Sequence, residues 1–66
     1  MNITVNGETR ECPAGTKLSD LLQAAGLDPK AILVELNELV LQRHEYPLTV
    51  LKDGDRLEFL RVVAGG

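Results

Sequence analysis

The sequence predicts an α+β fold, a mixed sheet of four to five strands packed on one helix. Three observations carry this. Short runs near both ends of the chain alternate apolar and polar residues, as half-buried strands do. A single stretch repeats its apolar residues at helical spacing. Turn-forming residues punctuate the chain between these runs. The 66 residues make one domain, spanning 1–66.

Met1 to Val5 places Ile3 and Val5 on one side and Asn2 and Thr4 on the other, which is a strand. Asn6-Gly7 is a hairpin turn, because both residues tolerate positive φ. Glu8 to Cys12 is the returning strand, and Pro13-Ala14-Gly15 ends it. Thr16 is placed to cap the next element. Leu18, Leu21, Leu22 and Ala25 form the apolar stripe of a helix of two to three turns. Asp20 suits the start of that helix and Gly26 its end, and Pro29 forbids continuation. Ala31 to Leu36 is a third strand, followed by a tight turn at Asn37-Glu38 and the short apolar run Leu39 to Leu41. Gln42 to Pro47 reads as polar and irregular, and Leu48 to Leu51 as an apolar run too short to classify. Asp53-Gly54-Asp55 is a turn. Arg56 to Val63 is the last strand, running into Ala64-Gly65-Gly66. One helix covers one face of a small sheet. With the final strand beside the first, the sheet grips the helix in the β-grasp arrangement and leaves its other face open.

Composition narrows the function. A domain this small buries only about 60% of its unfolded surface. The single cysteine allows no internal disulfide, and one cysteine with one histidine makes no zinc site. Aliphatic packing therefore builds the core, consistent with 44% hydrophobic residues. Seven basic and ten acidic residues give a net charge of −3, with no basic run and only Tyr46 and Phe59 as aromatics, which argues against nucleic-acid binding. No apolar stretch is long enough to span a membrane, and no signal peptide is visible. A lone cysteine fits a reducing compartment, so a cytoplasmic location is expected. Neither a nucleophile–base set nor a phosphate loop is present, and no bound cofactor or metal is expected. Cys12 reads as a small apolar residue at a strand end, and His44 as a loop residue.

The last strand and the tail carry the functional signal. If Leu57 and Phe59 face the helix, Leu60 and Val62 face the open side, joined by Leu33 from the third strand. Exposed apolar patches mark interaction sites, so Leu33, Leu60 and Val62 are expected to form a partner-docking surface. Arg56, Arg61 and nearby acidic residues can orient a partner through rim electrostatics. Two glycines in succession are narrow and adaptable, and extended they reach roughly 7 Å. That suits a tail threading into a partner's active site. A terminal carboxylate, with a pKa of about 3.5, is an unreactive anion at neutral pH. It becomes an acyl donor only when an enzyme installs a leaving group.

The order of elements, the Val34-Glu35-Leu36-Asn37 stretch, the Asp53-Gly54-Asp55 turn and the Gly65-Gly66 end together resemble the ThiS family of ubiquitin-like sulfur carriers in thiamine biosynthesis. The resemblance covers essentially the whole chain. It departs from the family pattern at Glu38, where many members have glycine, at Gln42, where many have proline, and at Ala64, where many have a third glycine. The resemblance implies a co-substrate rather than an enzyme. A ThiF-like adenylating enzyme uses ATP to form the Gly66 acyl-adenylate, and a persulfide enzyme supplies sulfur to give a thiocarboxylate. Thiazole synthase (ThiG-like) then takes that sulfur. Ala64 and Gly65 would be the threading residues. Related readings are a MoaD-like carrier for molybdopterin or another sulfur metabolite, and a ubiquitin-like protein modifier. A TGS-type binding module is a further alternative, disfavoured by the lack of basic character.

Overall fold

The computed structural model describes residues 1–62, and within it the expected architecture is present. Five strands, β1 (Asn2–Val5), β2 (Glu8–Glu11), β3 (Ile32–Leu36), β4 (Leu39–Val40) and β5 (Arg56–Arg61), surround one helix, α1 (Leu18–Ala24). The sheet order is β2-β1-β5-β3-β4. The β1–β2 hairpin is antiparallel, β5 lies parallel to β1, and β3 is antiparallel to β5. The final strand therefore sits at the centre, flanked by the first and third. Ile3, Val5, Ile32, Val34 and Leu57 share one sheet face and form a single core with Leu18 and Leu22 of α1.

Local chemistry sets the joints. Asn6 and Gly7 both have positive φ, 49° and 83°, the twisted two-residue turn that matches a hairpin. The Asn6 side chain then continues the sheet: its Oδ1 accepts the Phe59 N–H at 2.8 Å. The helix ends where Gly26, at φ 70°, turns the chain left-handed. The Gly26 N–H donates to Gln23 O and the Leu27 N–H to Leu22 O, so two terminal carbonyls are satisfied. Asn37 ties the β3–β4 turn to β5: its Nδ2 donates to Asp55 Oδ1 at 3.0 Å and its Oδ1 accepts the Arg56 N–H at 2.9 Å. Asp55, nearly buried, also accepts the Lys52 N–H, and Asp53 accepts the Asn2 N–H. Asn37, Asp53 and Asp55, which lie in the stretches that carry the resemblance, thus pin turns to strands.

Several expectations need correction. Thr16 does not cap α1. Its hydroxyl donates to Pro13 O at 2.7 Å, and the cap position is Lys17, with no side-chain bond. Ala25 is exposed rather than core, because the helix has already ended at Ala24. Residues 43–48 are not irregular: Arg43–Leu48 forms a 3₁₀ helix whose Tyr46 is buried, with its hydroxyl donating to Ile32 O at 2.9 Å. An aromatic ring there fills the volume that a two-turn helix leaves uncovered. The 48–51 run, too short to classify from sequence, forms one antiparallel bridge, Lys17 to Val50, and delivers Leu51 to the core. β2 stops at Glu11, one residue before the expected end, and β5 stops at Arg61.

Glu38 occupies the second position of the β3–β4 turn with φ 72°, a conformation that glycine adopts without penalty. Its ion pair with Arg56, at 3.7 Å between exposed side chains, contributes little. Glu38→Gly is therefore expected to raise stability by about 0.5–1 kcal/mol. Urea denaturation of the two proteins checks this.

Candidate functional site

The site is built on the sheet face that α1 leaves bare. Antiparallel register sets Leu33 directly opposite Leu60, and Glu35 directly opposite Glu58. Opposed residues point the same way, so both pairs lie on this face, while Leu57 is buried on the other and Phe59 half-buried against the core. Leu33 is half-buried. Leu60 and Val62 are 45% and 47% exposed, large fractions for aliphatic side chains in so small a domain. The Val62 N–H donates to Ala31 O at 2.8 Å, holding the chain beside β3 as far as the last described residue. The three apolar residues expected to form the docking surface are thus near one another: Leu60 on β5, Val62 one residue past its end, and Leu33 on β3. Ala64, Gly65 and Gly66, the expected threading and attachment residues, lie outside the described residues.

The same face has an acidic end that sequence reading did not assign. Glu35 and Glu58 stand opposite each other, a like-charge arrangement that disfavours the isolated sheet. Val40, 59% exposed, lies across from Glu35 on β4. Their shared parity with Leu33 and Leu60 was the available signal; strand register, which the sequence does not state, was needed to pair them. Arg56 sits among Glu35, Glu38 and Glu58 at this end. The face is therefore apolar toward the tail and acidic away from it.

Nothing among the described residues assembles a catalytic group. Cys12 is half-buried and packs against the core, as expected for a small apolar residue, and His44 is exposed on the 3₁₀ helix. No cluster of three or more histidine, cysteine or acidic side chains suited to a metal occurs among the described residues. No helix there is long and apolar enough to cross a membrane.

The five-stranded sheet gripping one helix, with a bare apolar face beside the terminal strand, defines a β-grasp, ubiquitin-like domain. The chain belongs to the ThiS family, whose model matches residues 3–66. It superimposes on the crystal structure of the thiamine biosynthesis protein ThiS from Geobacter metallireducens with a TM-score of 0.86 and 38% identity, covering 100% of both chains. It is 34% identical over 64 residues to the sulfur carrier protein ThiS of Thermus thermophilus, covering 97% of this chain and 98% of that one. It is also 38% identical over 66 residues to a thiazole synthase of Magnetococcus marinus, but there the whole chain corresponds to 20% of the relative's length.

Proposed function

We propose that this protein carries sulfur for thiazole formation in thiamine biosynthesis, as a co-substrate and not as a catalyst. The single observation that carries the reading is the apolar strip at the end of β5: exposed Leu60 and, just past the strand, exposed Val62, with half-buried Leu33 opposite Leu60, immediately precede the Gly65-Gly66 tail in the sequence. A partner that covers the strip receives the tail at the same time. The ThiS relatives and the thiazole synthase containing a segment like this chain support the same pathway.

In the proposed cycle an adenylating enzyme activates the Gly66 carboxylate. The carboxylate oxygen attacks the α-phosphorus of ATP, giving the acyl-adenylate and pyrophosphate. A persulfide sulfur then attacks the acyl carbon and AMP leaves. Cleavage of the resulting S–S bond by a thiol leaves the thiocarboxylate, with the thiol oxidised to a disulfide. Thiazole synthase takes the sulfur from this group. Ala64 and Gly65 thread the tail into each active site, and Leu33, Leu60 and Val62 dock the domain. The protein's own part is to present the tail from a rigid strand, which converts threading into a positioned encounter.

Intact-mass measurement tests the reading. The protein is incubated with ATP, its adenylating enzyme and a persulfide donor. The expected product is heavier than the starting chain by the difference between sulfur and oxygen, with the added mass on the fragment containing Gly66. Persistence of the carboxylate form alone refutes sulfur carriage, and isopeptide conjugates to other proteins would identify a modifier instead.

A further inference from the structure

The helix-side surface of β5 holds a second feature. β1 pairs with β5 only as far as Val5 opposite Leu57, and α1 has ended by Ala24. Phe59 and Arg61 therefore extend past both covers. The result is a cleft of about 290 Å³ with Leu27, Ile32 and Phe59 in its apolar wall and Arg10 and Arg61 at its sides.

The arginines set this cleft apart. Of the four in the chain, Arg43 donates to Lys30 O at 2.7 Å and Arg56 pairs with Glu38. The Arg10 and Arg61 side chains make no ion pair or hydrogen bond among the described residues, and both line one cleft whose lining includes no acidic residue. This happens in a chain with three more acidic than basic residues. Two arginines lining one cleft with an apolar wall favour a planar anion with a short hydrocarbon stem, because the fork of donors matches a carboxylate. The volume, about 290 Å³, lies at the small end of ligand pockets and accommodates one carboxylate side chain.

We propose that this cleft accepts a glutamate or aspartate side chain from a partner protein, so that a docked carrier is held on both faces of β5. The proposal rests on the reading that the chain works by docking to its adenylating enzyme, and two measurements separate its failure from the failure of that reading. First, the isolated ¹⁵N-labelled protein is titrated with sodium glutarate at constant ionic strength. Amide shifts are expected at Ala25, Leu27, Phe59 and Arg61, and are expected to vanish in the double variant Arg10→Gln/Arg61→Gln. Their absence in the unsubstituted protein overturns the proposal. Second, in adenylation by the enzyme, the double variant is expected to raise the KM for the carrier about tenfold and to flatten its salt dependence, with kcat unchanged. An unchanged KM overturns the proposal while leaving sulfur carriage intact. If the enzyme adenylates neither protein, the functional reading fails and the glutarate titration alone decides the cleft. Inorganic phosphate shifting the same amides at lower concentration than glutarate, with KM unchanged, assigns the cleft to a free anion and also overturns the proposal.

Discussion

Leu22→Ala is expected to lower stability by about 2–5 kcal/mol. Leu22 is 1% exposed and packs among Ile3, Val5, Leu18, Val34 and Leu57, on the one helix that closes the core. Truncation removes three carbons from a site bounded by strand backbones that cannot collapse freely into the space, so both the transfer and the cavity contributions apply. The consequence is large because the domain is small. At the usual margin, 66 residues correspond to about 3–10 kcal/mol of total stability, and no disulfide reinforces it. A 3 kcal/mol loss lowers Tm by roughly 12–24 °C in a domain of this size. Thermal unfolding followed by circular dichroism reads this directly. Ala25→Ser, on an exposed position just past the helix, is the matched control and should be close to neutral. A loss below about 1 kcal/mol for Leu22→Ala would show that the helix is not what closes the core.

The contrast between Leu22 and Ala25 shows where the sequence was legible. Period-2 alternation in β1 and β5 and the Asn6-Gly7 turn are local signals, and the structure has the strands and hairpin they imply. Helical spacing identified Leu18 and Leu22 equally well, but spacing alone does not say at which residue a helix stops. Gly26 reversed the chain and Ala25 fell off the stripe. Thr16 was misread for a related reason: a hydroxyl has several backbone groups within reach, and here the Pro13 carbonyl competes successfully. The burial of Tyr46 is not legible because a six-residue 3₁₀ helix is too short to display its three-residue period, and Arg43, His44 and Glu45 before it give a polar average. The shared outward face of Leu33, Leu60 and Val62 follows from strand parity alone. The Glu35–Glu58 pair and the cleft lined by both Arg10 and Arg61 do not, since both depend on which strands are neighbours and in what register.

Gly66→Ala is expected to lower kcat for acyl-adenylate formation about 10²-fold while leaving Tm unchanged, the cost expected when a reacting group is displaced by about an ångström. The added methyl group sits on the carbon bearing the carboxylate. It restricts the backbone angles glycine allows and widens the thread at the point of closest approach to the α-phosphate of ATP. Binding through the β5 strip is untouched, so the KM for the carrier should change little. Leu60→Ser separates the two roles from the other side. Leu60 is 45% exposed and opposite Leu33, so its loss barely affects the core but removes apolar area from the centre of the proposed contact. An anchor of this kind is worth about 2 kcal/mol, and KM should rise roughly thirtyfold with kcat retained. Steady-state kinetics on both variants gives the split. If Gly66→Ala raises KM alone, the tail contributes grip and not placement of the carboxylate; if Leu60→Ser lowers kcat alone, β5 acts by aligning the tail after docking elsewhere. With each variant moving only its own parameter, docking by the strand and chemistry at the tip are separable functions. In the proposed cycle, that separation lets one short carrier serve an adenylating enzyme and a thiazole synthase in turn, sharing the strip between them while each active site receives only the last glycines.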